Sequence, residues 1–277
     1  MSPSVFAMVV FSAALHATWN LLIKRSSDKL LMTVGVTMSA GIVGLLTLPF
    51  FPAPAEASWP FIAASAFMSV AYFAMIAATY KVADMSLAYP VIRGAAPLIV
   101  GLAGMVLFEE YLPLTAWIAI IIISAGVLSM ALAKHEHGVR GLVLALATAI
   151  LTAACTLIDA EGARRSQSPA AYTLCIFAGT GLLMGIWAAS TRRREFARFM
   201  KQNWHVGFPA GVGALCSYGT ALWAMTLAPV AMVAALRETT VLFGAALAWI
   251  VLKEQIGRSR LVAILAIAAG AAFLRAS

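Results

Sequence analysis

The chain of 277 residues is 62% hydrophobic and only 11% charged. Soluble domains hold about 45–50% apolar and about 25% charged residues, so this composition excludes an ordinary soluble core. A net charge of +8 raises the possibility of nucleic-acid binding. The basic residues, however, occupy short segments between apolar stretches. That arrangement is typical of membrane topology signals and of contact with anionic lipid.

Ten apolar stretches follow one another along the chain, each near the roughly 20 residues that a helix needs to cross a bilayer. They lie at about residues 3–23, 30–51, 59–80, 86–108, 112–133, 139–160, 169–190, 204–227, 229–252 and 258–275. The alternating polarity of membrane β-strands is absent from them. The sequence therefore predicts an all-α integral membrane protein with ten transmembrane helices.

Most Lys and Arg residues fall in the predicted odd-numbered loops, and the longest of these is a basic run at residues 191–201. Those loops hold Lys24, Arg25, Lys29, Lys81, Lys134, Arg140, Arg192, Arg193, Arg194, Arg198, Lys201, Lys253, Arg258 and Arg260. The even-numbered loops hold Arg164 and Arg165. By the positive-inside rule the odd loops are cytoplasmic. We therefore expect a multi-pass protein of the inner (plasma) membrane with both termini on the non-cytoplasmic side.

An internal repeat divides the chain. Arg93 precedes Glu110 by 17 residues, and Arg237 precedes Glu254 by the same interval, with one further span after each. The halves are residues 1–137 and 138–277, each with five spans. Because five is odd, the second half must insert with inverted topology. Inverted repeats are typical of secondary transporters, whose substrate site lies near the membrane midplane between the repeats, so a central cavity is expected.

Polar residues inside the predicted spans are few, and intramembrane polar groups are costly enough to suggest function. Ser12, His16 and Asn20 follow one helical face of the first span, with Trp19 beside them. The sixth span carries a similar stripe, formed by Thr148, Thr152 and Thr156 and followed by Asp159. Two interpretations stay open: the stripes line a cavity, or they hydrogen-bond neighbouring helices.

The fourth span carries Tyr89 and Arg93 one turn apart, flanked by Pro90 and Pro97. Each proline removes a backbone donor and can kink or break the helix, which makes the fourth span the expected broken helix. Arg93 lies well inside the span. Snorkelling of its guanidinium to the nearer surface is the alternative to a functional role.

Arg237 and Glu238 lie inside the ninth span and point about 100° apart, so each needs another partner. One hypothesis is a structural pair between Glu238 and Arg93 that bridges the two halves. The other is that Arg93 or Arg237 binds a substrate carboxylate while Glu238 binds an ammonium group. A pair that opens and recloses would combine the two.

Aromatic side chains complete the candidate site. Tyr72 and Tyr218 occupy matching repeat positions, and Trp223 follows in the eighth span. The full candidate substrate-binding set is His16, Trp19, Asn20, Tyr72, Tyr89, Arg93, Tyr218, Trp223, Arg237 and Glu238. Candidates for proton coupling are His16, Glu238 and Asp159. No catalytic residue, cofactor or metal site is predicted; His135-Glu136-His137 is too short and isolated for a metal site.

Two sets of residues resemble the EamA family of the drug/metabolite transporter superfamily. One runs from Leu15-His16-Ala17-Thr18-Trp19-Asn20 to Lys24, and the other comprises the paired repeat endings at Glu109-Glu110 and Lys253-Glu254-Gln255. Within the superfamily the chain looks most like bacterial amino-acid exporters of the YddG type. The resemblance implies alternating access around a cavity between the two halves.

The predicted function is therefore secondary transport, and not catalysis. We expect export of amino acids or related small metabolites, with the bilayer and a small molecule as partners, no nucleic acid and a monomeric state. An exporter of another metabolite or drug class is the first alternative. A membrane-embedded lipid-modifying enzyme is the second, with Asp159 and Glu161 as its nearest candidate groups.

Overall fold

A computed structural model describes residues 1–131, 139–253 and 257–276. This part of the chain forms α-helices joined by short connections, with 3₁₀ turns at Leu48–Phe50 and Glu56–Ser58. The helices are α1 (Pro3–Lys24), α2 (Lys29–Thr47), α3 (Trp59–Val82), α4 (Met85–Leu107), α5 (Leu114–Ser129), α6 (Val139–Arg165), α7 (Pro169–Thr191), α8 (Arg193–Leu227), α9 (Val230–Arg237), α10 (Thr240–Leu252) and α11 (Arg258–Ala276).

The helices confirm the predicted all-α membrane architecture. Within the described residues, eight helical segments are long and apolar enough to cross a membrane, and α5 is a shorter apolar helix. α9 and α10 together form the predicted ninth span, while α11 covers the tenth. Most helix ends fall within a few residues of the predicted span ends.

The sequence predicted a loop for the basic run at residues 191–201, but most of this run is helical. α8 begins at Arg193 and continues without interruption to Leu227 over 35 residues. A helix of that length is about 52 Å long, well beyond a hydrocarbon core of about 30 Å. Arg, Lys, Glu and Ala are good helix formers. The charged residues among them are costly in hydrocarbon, so the charged turns extend α8 outside the membrane.

The expected helix break lies in a different span. α4 continues through both Pro90 and Pro97, whereas the ninth span, which has no proline inside, is interrupted between Arg237 and Thr240. A proline in a helix removes one backbone hydrogen bond, and a membrane helix tolerates that loss when its neighbours compensate. The sequence interpretation that assigned the break to the prolines was wrong.

α2 packs closely between α7 and α8 because glycines face it. A methyl group at Gly41 would lie 2.8 Å from the Phe177 carbonyl oxygen and 3.2 Å from Gly181 Cα. On the other side, a methyl group at Gly211 would lie 2.7 Å from Ser39 Cβ. Glycines with this spacing let helix backbones approach closely in membranes. Gly181 and Gly211, both within GxxxG motifs, thus pack against other helices of the same chain.

Helix contacts cross between the two predicted halves in matching pairs. α1 packs on α8 while α6 packs on α3, and α2 packs on α8 while α7 packs on α3. Three other contacts join a helix to its counterpart, namely α2 with α7, α4 with α9 and α5 with α11. Two halves related by a two-fold axis would give this pattern of exchange.

The α5–α11 interface shows the same exchange at single residues. A methyl group at Gly126 would meet Ile267, and one at Gly270 would meet Ile123. Gly126 and Gly270 are 144 positions apart, as are Ile123 and Ile267. This is also the interval between Arg93 and Arg237, so the buried charges lie at matching places in the two halves.

Candidate functional site

The ion pair between Arg93 and Glu238 lies at the centre of the candidate site. Arg93 Nε, on α4, donates to Glu238 Oε2 over 3.1 Å. The Glu238 side chain is 5% exposed and that of Arg93 is 18% exposed. Arg93 therefore binds a carboxylate inside the bundle, and its guanidinium does not snorkel to the membrane surface. The pair joins the fourth span to the interruption in the ninth, as one of the two sequence hypotheses proposed.

The interruption between α9 and α10 is a tightened turn. Glu238 N–H donates to the Ala235 carbonyl and Thr239 N–H to the Leu236 carbonyl, both at 3.0 Å. These bonds join residues three apart, in place of the α-helical bonds between residues four apart. The Thr239 hydroxyl donates to the Leu236 carbonyl at 2.8 Å, and the Thr240 hydroxyl to the Arg237 carbonyl at 2.7 Å. Such local hydroxyl bonds compete with the helical pattern and satisfy the backbone at the break.

Arg237 points to a different partner from its neighbour. Its guanidinium lies 5.5 Å above the ring centre of Tyr218, within the range of a cation–π contact. Its Nε is buried and has no hydrogen-bond partner among the described residues. The side chains of Arg237 and Glu238, which were predicted to point in different directions, thus make different contacts. Glu238 binds Arg93, and Arg237 stacks on the ring of Tyr218.

Asp159 is buried on α6 among hydroxyl groups. The Tyr218 hydroxyl donates to its Oδ2, and the Tyr172 hydroxyl lies 3.5 Å from its Oδ1. Ser65 also hydrogen-bonds the carboxylate. Tyr218 therefore joins Asp159 to Arg237: its hydroxyl bonds Asp159, and its ring lies beneath the guanidinium of Arg237. Sequence analysis did not select Tyr172 or Ser65, although an intramembrane carboxylate implies donors on neighbouring helices.

Three more predicted residues surround the two arginines. His16 lies close enough to interact electrostatically with both Arg93 and Arg237, and Tyr72 does so as well. Tyr89, one turn before Arg93, interacts with Arg93 and Glu238. These three side chains come from α1, α3 and α4 in the first predicted half. Arg237 and Glu238 come from the second, so the cluster brings both predicted halves together.

The remaining candidates lie at the edge of this cluster or outside it. Trp19 makes an edge contact with His16, with 4.9 Å between ring centres, and its indole N–H is buried without a described partner. Asn20 is exposed and its amide donates to the carbonyl of His16 on its own helix at 2.8 Å. Trp223 is 53% exposed and lies about 140° around α8 from Tyr218.

The polar stripes of the first and sixth spans partly serve helix packing. Ser12 and Ser217 exchange hydrogen bonds, each hydroxyl donating to the other residue's carbonyl at 2.7 and 2.8 Å. The Thr79 and Thr148 hydroxyls are 2.9 Å apart. For these two contacts the packing interpretation of the stripes is the better one.

A second, partly buried ion pair lies at one end of the bundle. Arg164, at the end of α6, donates to Glu110 through Nη2 and to the Met225 carbonyl through Nε at 3.1 Å. The other oxygen of Glu110 accepts the backbone N–H of Val230, the first residue of α9, at 2.9 Å. The pair thus connects the segment after α4 with the ends of α6 and α8 and the start of α9.

Within the described residues there is no group of three or more His, Cys, Asp or Glu side chains that could hold a metal ion. His135-Glu136-His137 lies outside the described residues.

A bundle of apolar helices with buried charges at a helix break is typical of membrane transporters. Residues 139–276 match the model of the EamA-like transporter family. The chain therefore carries an EamA domain and is a membrane transporter of the drug/metabolite superfamily, which moves small molecules. This match covers the second predicted half.

Comparisons with individual proteins are less specific. No curated protein matches the sequence. One crystal structure is similar over 97% of this chain and 94% of its own, with a TM-score of 0.74 and 16% sequence identity. At that identity the similarity concerns the fold. The narrower likeness to amino-acid exporters of the YddG type stays a prediction.

Proposed function

We propose that this chain is a secondary transporter that exports amino acids or related small metabolites across the cytoplasmic membrane by alternating access. The observation that carries the proposal is the ion pair of Arg93 and Glu238. Charges inside a membrane bundle are costly and are retained where they serve binding or transport. This pair lies at a helix break, where backbone and side chains can both contact a substrate.

The proposal includes two inverted repeats, residues 1–137 and 138–277. It is supported by the exchange of helix contacts between the halves and by the interval of 144 residues shared by Arg93 and Arg237. α2 and α7 run antiparallel where they meet, because Gly44 faces Leu174 while Gly41 faces Phe177. An axis in the membrane plane requires such antiparallel contacts between equivalent helices.

The mechanism assigns the Arg93–Glu238 pair to the transport cycle. Arg93 belongs to the first half and Glu238 to the second, so the bond closes the space between the halves. A substrate carboxylate that binds the neighbouring Arg237 also attracts Arg93, which would weaken the bond between Arg93 and Glu238 and allow the halves to separate. The bond re-forms after release, so that the pair acts as a gate as well as a binding element.

We further propose that the protein is a monomer in the inner membrane with both termini on the non-cytoplasmic side. The distribution of basic loops supports this topology. Arg193, Arg194, Arg198 and Lys201 lie on the part of α8 that extends past the hydrocarbon core. That face would be cytoplasmic.

Counterflow in proteoliposomes tests the proposal. Purified protein is reconstituted, loaded with one unlabelled amino acid at a time, and assayed for accumulation of its labelled form. We expect exchange of at least one amino acid, and its loss in Arg237→Ala and Glu238→Ala with normal membrane insertion. Arg275→Ala is the matched control, because Arg275 also stacks on a ring, that of Phe6, away from the pair. No exchange of any amino acid would refute the substrate assignment.

A different metabolite or drug class remains the alternative within transport, and the same liposomes extended to such compounds would reveal it. The enzymatic alternative rested on Asp159 and Glu161. Asp159 is held by Tyr218 and Tyr172, and Glu161 pairs with Arg165 on its own helix. The EamA domain favours transport, since members of this family are transporters.

A further inference from the structure

One charged group at the helix break has no ion-pair partner among the described residues. Arg93 and Glu238 neutralise one another, whereas Arg237, a second and partly buried cation, has no such partner. Among the described residues no carboxylate lies within ion-pair distance of Arg237, whose guanidinium has the ring of Tyr218 beneath it. An uncompensated charge in a membrane interior is strongly unfavourable. Arg237 is therefore an unpaired positive charge, because Asp159 is connected to it only through Tyr218.

The unsatisfied hydrogen-bonding groups in this region are all donors. Arg237 Nε, Arg93 Nη2 and Trp19 Nε1 are buried and have no partner among the described residues. Trp19 lies against His16, which interacts electrostatically with both arginines. Buried donors without acceptors each cost about 1–3 kcal/mol. A ligand rich in acceptor atoms, and not one rich in donors, would satisfy them.

Glu238 is the one carboxylate that faces the arginines, and it already has a cationic partner. The ammonium group of an amino acid would have to displace Arg93 from Glu238, so that one guanidinium would stay unpaired even if the substrate carboxylate bound the other. A carboxylate, in contrast, can bind Arg237 while the Arg93–Glu238 pair stays intact. Guanidinium and carboxylate groups match in a planar, two-bond geometry.

We propose that the preferred substrates are monoanionic organic acids, bound by their carboxylate to Arg237 and with no ammonium group. 2-Oxo acids and similar small carboxylates belong to this class. One unpaired guanidinium fits a monoanion, whereas a phosphate dianion would bring a second negative charge that Arg237 alone cannot neutralise. The rings of Tyr72, Tyr89 and Tyr218 provide apolar surface for the body of the substrate. This inference rests on the proposed transport function, and within that substrate range it favours the related carboxylate metabolites over the amino acids themselves.

Matched compounds in proteoliposomes test it. The first series is phenylpyruvate, phenylalanine, phenylalaninamide and phenyl phosphate, and the second is 4-methyl-2-oxopentanoate, leucine and leucinamide. Each compound competes with labelled oxo acid during counterflow. We expect the oxo acid of each series to compete about 10- to 100-fold better than the amino acid, the range expected for one charge-assisted hydrogen-bonding contact.

The variants test the assignment to Arg237. Arg237→Gln should lose oxo-acid binding, measured by ligand-induced thermal stabilisation in detergent, and Arg237→Lys should retain part of it. Arg275→Gln removes an arginine stacked on Phe6 at the far end of α11 and should bind as the unchanged protein does.

The outcomes separate this inference from the proposed function. Amino acids or amides that compete as well as the oxo acids would overturn the monoanion inference and leave a metabolite transporter. Preference for phenyl phosphate would overturn it as well. If no compound of either series is exchanged, the inference and the proposed substrate range both fail. Because the wild-type series is decisive alone, a variant that misfolds does not prevent the test.

Discussion

Glu109 and Lys253 lie 144 positions apart, and both have a left-handed backbone, with φ of 54° and 57°. Residues other than glycine rarely adopt this conformation. Each follows a span that contains one of the matching arginines: α4 carries Arg93 and ends at Leu107, and the ninth span carries Arg237 in α9 and ends with α10 at Leu252. The same unusual turn at equivalent sites, together with the exchange of helix contacts, supports two repeats of one five-helix design.

The proposed inverted arrangement of the two halves predicts on which side of the membrane the C-terminus lies. With five spans in each half, we expect alkaline phosphatase fused after Ser277 to be active and a cytoplasmic fluorescent reporter at the same place to be dark. Fusions in the segment before α6, next to Arg140, should give the opposite result because that loop is predicted to be cytoplasmic. Cytoplasmic activity at Ser277 would contradict the proposed topology.

Close helix approach predicts that Gly41 tolerates no side chain. In Gly41→Ala the new methyl would meet the Phe177 carbonyl at 2.8 Å and Gly181 Cα at 3.2 Å. Backbone atoms cannot yield as a flexible side chain can, so we expect a loss of about 1–3 kcal/mol of stability. The readout is the thermal unfolding midpoint in detergent.

Gly244 on α10 is the matched control for this substitution. A methyl group there has open space, with nothing within 4 Å. Alanine also favours a helix over glycine by roughly 0.5–1 kcal/mol. Gly244→Ala should therefore leave the midpoint unchanged or raise it. Equal destabilisation by both substitutions would show that the α2–α7 approach is not the cause.

The helices could be located from the sequence because bilayer thickness fixes their length. Hydropathy measures transfer into lipid and not helix formation. It therefore placed the start of the eighth span at residue 204, whereas the helix begins at Arg193. The break near Glu238 was missed for a different reason. It depends on threonine hydroxyls that bind the local backbone and on a partner 145 residues away.

The candidate site was predictable where a charge inside a span demanded explanation. Arg93, Arg237 and Glu238 stood out by composition alone, and pairing of Arg93 with Glu238 was one of two hypotheses. The neighbours of Asp159 were not predictable, since Tyr172 and Ser65 come from helices whose rotation no local pattern determines. Nor could periodicity show that Asn20 would bond its own helix while Trp223 would be exposed.

The Arg93–Glu238 pair predicts that the stability effects of Arg93→Gln and Glu238→Gln are strongly coupled. Glu238→Gln leaves Arg93 buried without a counter-charge, and Arg93→Gln does the same to Glu238. Each should cost about 3–5 kcal/mol, the usual effect of removing one partner of a buried pair. The double variant should cost less than the sum of the two, because no charge is left unpaired.

The double-mutant cycle is measured by unfolding in detergent, and transport is followed in parallel. We expect the double variant to recover stability without recovering transport, since the gate needs the charges. Strictly additive losses would contradict a direct interaction between the two side chains.

Glu110 predicts a separate stability effect at the end of the bundle. Its two oxygens bind Arg164 and the backbone N–H of Val230, so Glu110→Gln weakens two charge-assisted bonds. The expected loss is about 1–3 kcal/mol, seen as a lower unfolding midpoint. Arg165→Gln is the control, because Arg165 is 54% exposed and pairs with Glu161 within one helix. Such exposed pairs contribute about 0.3–0.5 kcal/mol, and an equal effect of both would refute the special role of Glu110.

Asp159 is the strongest of the three predicted candidates for proton coupling on structural grounds. Glu238 is tied to Arg93, and His16 lies near two guanidinium groups. The groups that face Asp159 are hydroxyls, from Tyr218, Tyr172 and Ser65, with the Cys155 thiol nearby. Asp159 can therefore gain or lose a proton without breaking an ion pair, whereas Glu238 cannot.

We accordingly predict that Asp159→Asn abolishes transport driven by a pH gradient while counterflow at equal pH persists. His16→Gln should alter affinity and leave the response to the gradient intact. Proteoliposomes with an imposed gradient provide the measurement, and Glu161→Gln is the matched acid on the same helix. A gradient response that survives in Asp159→Asn and disappears in His16→Gln would transfer the proton site to α1. No gradient response in the unchanged protein would indicate a facilitated carrier, in which Asp159 serves to position Tyr218 beneath Arg237.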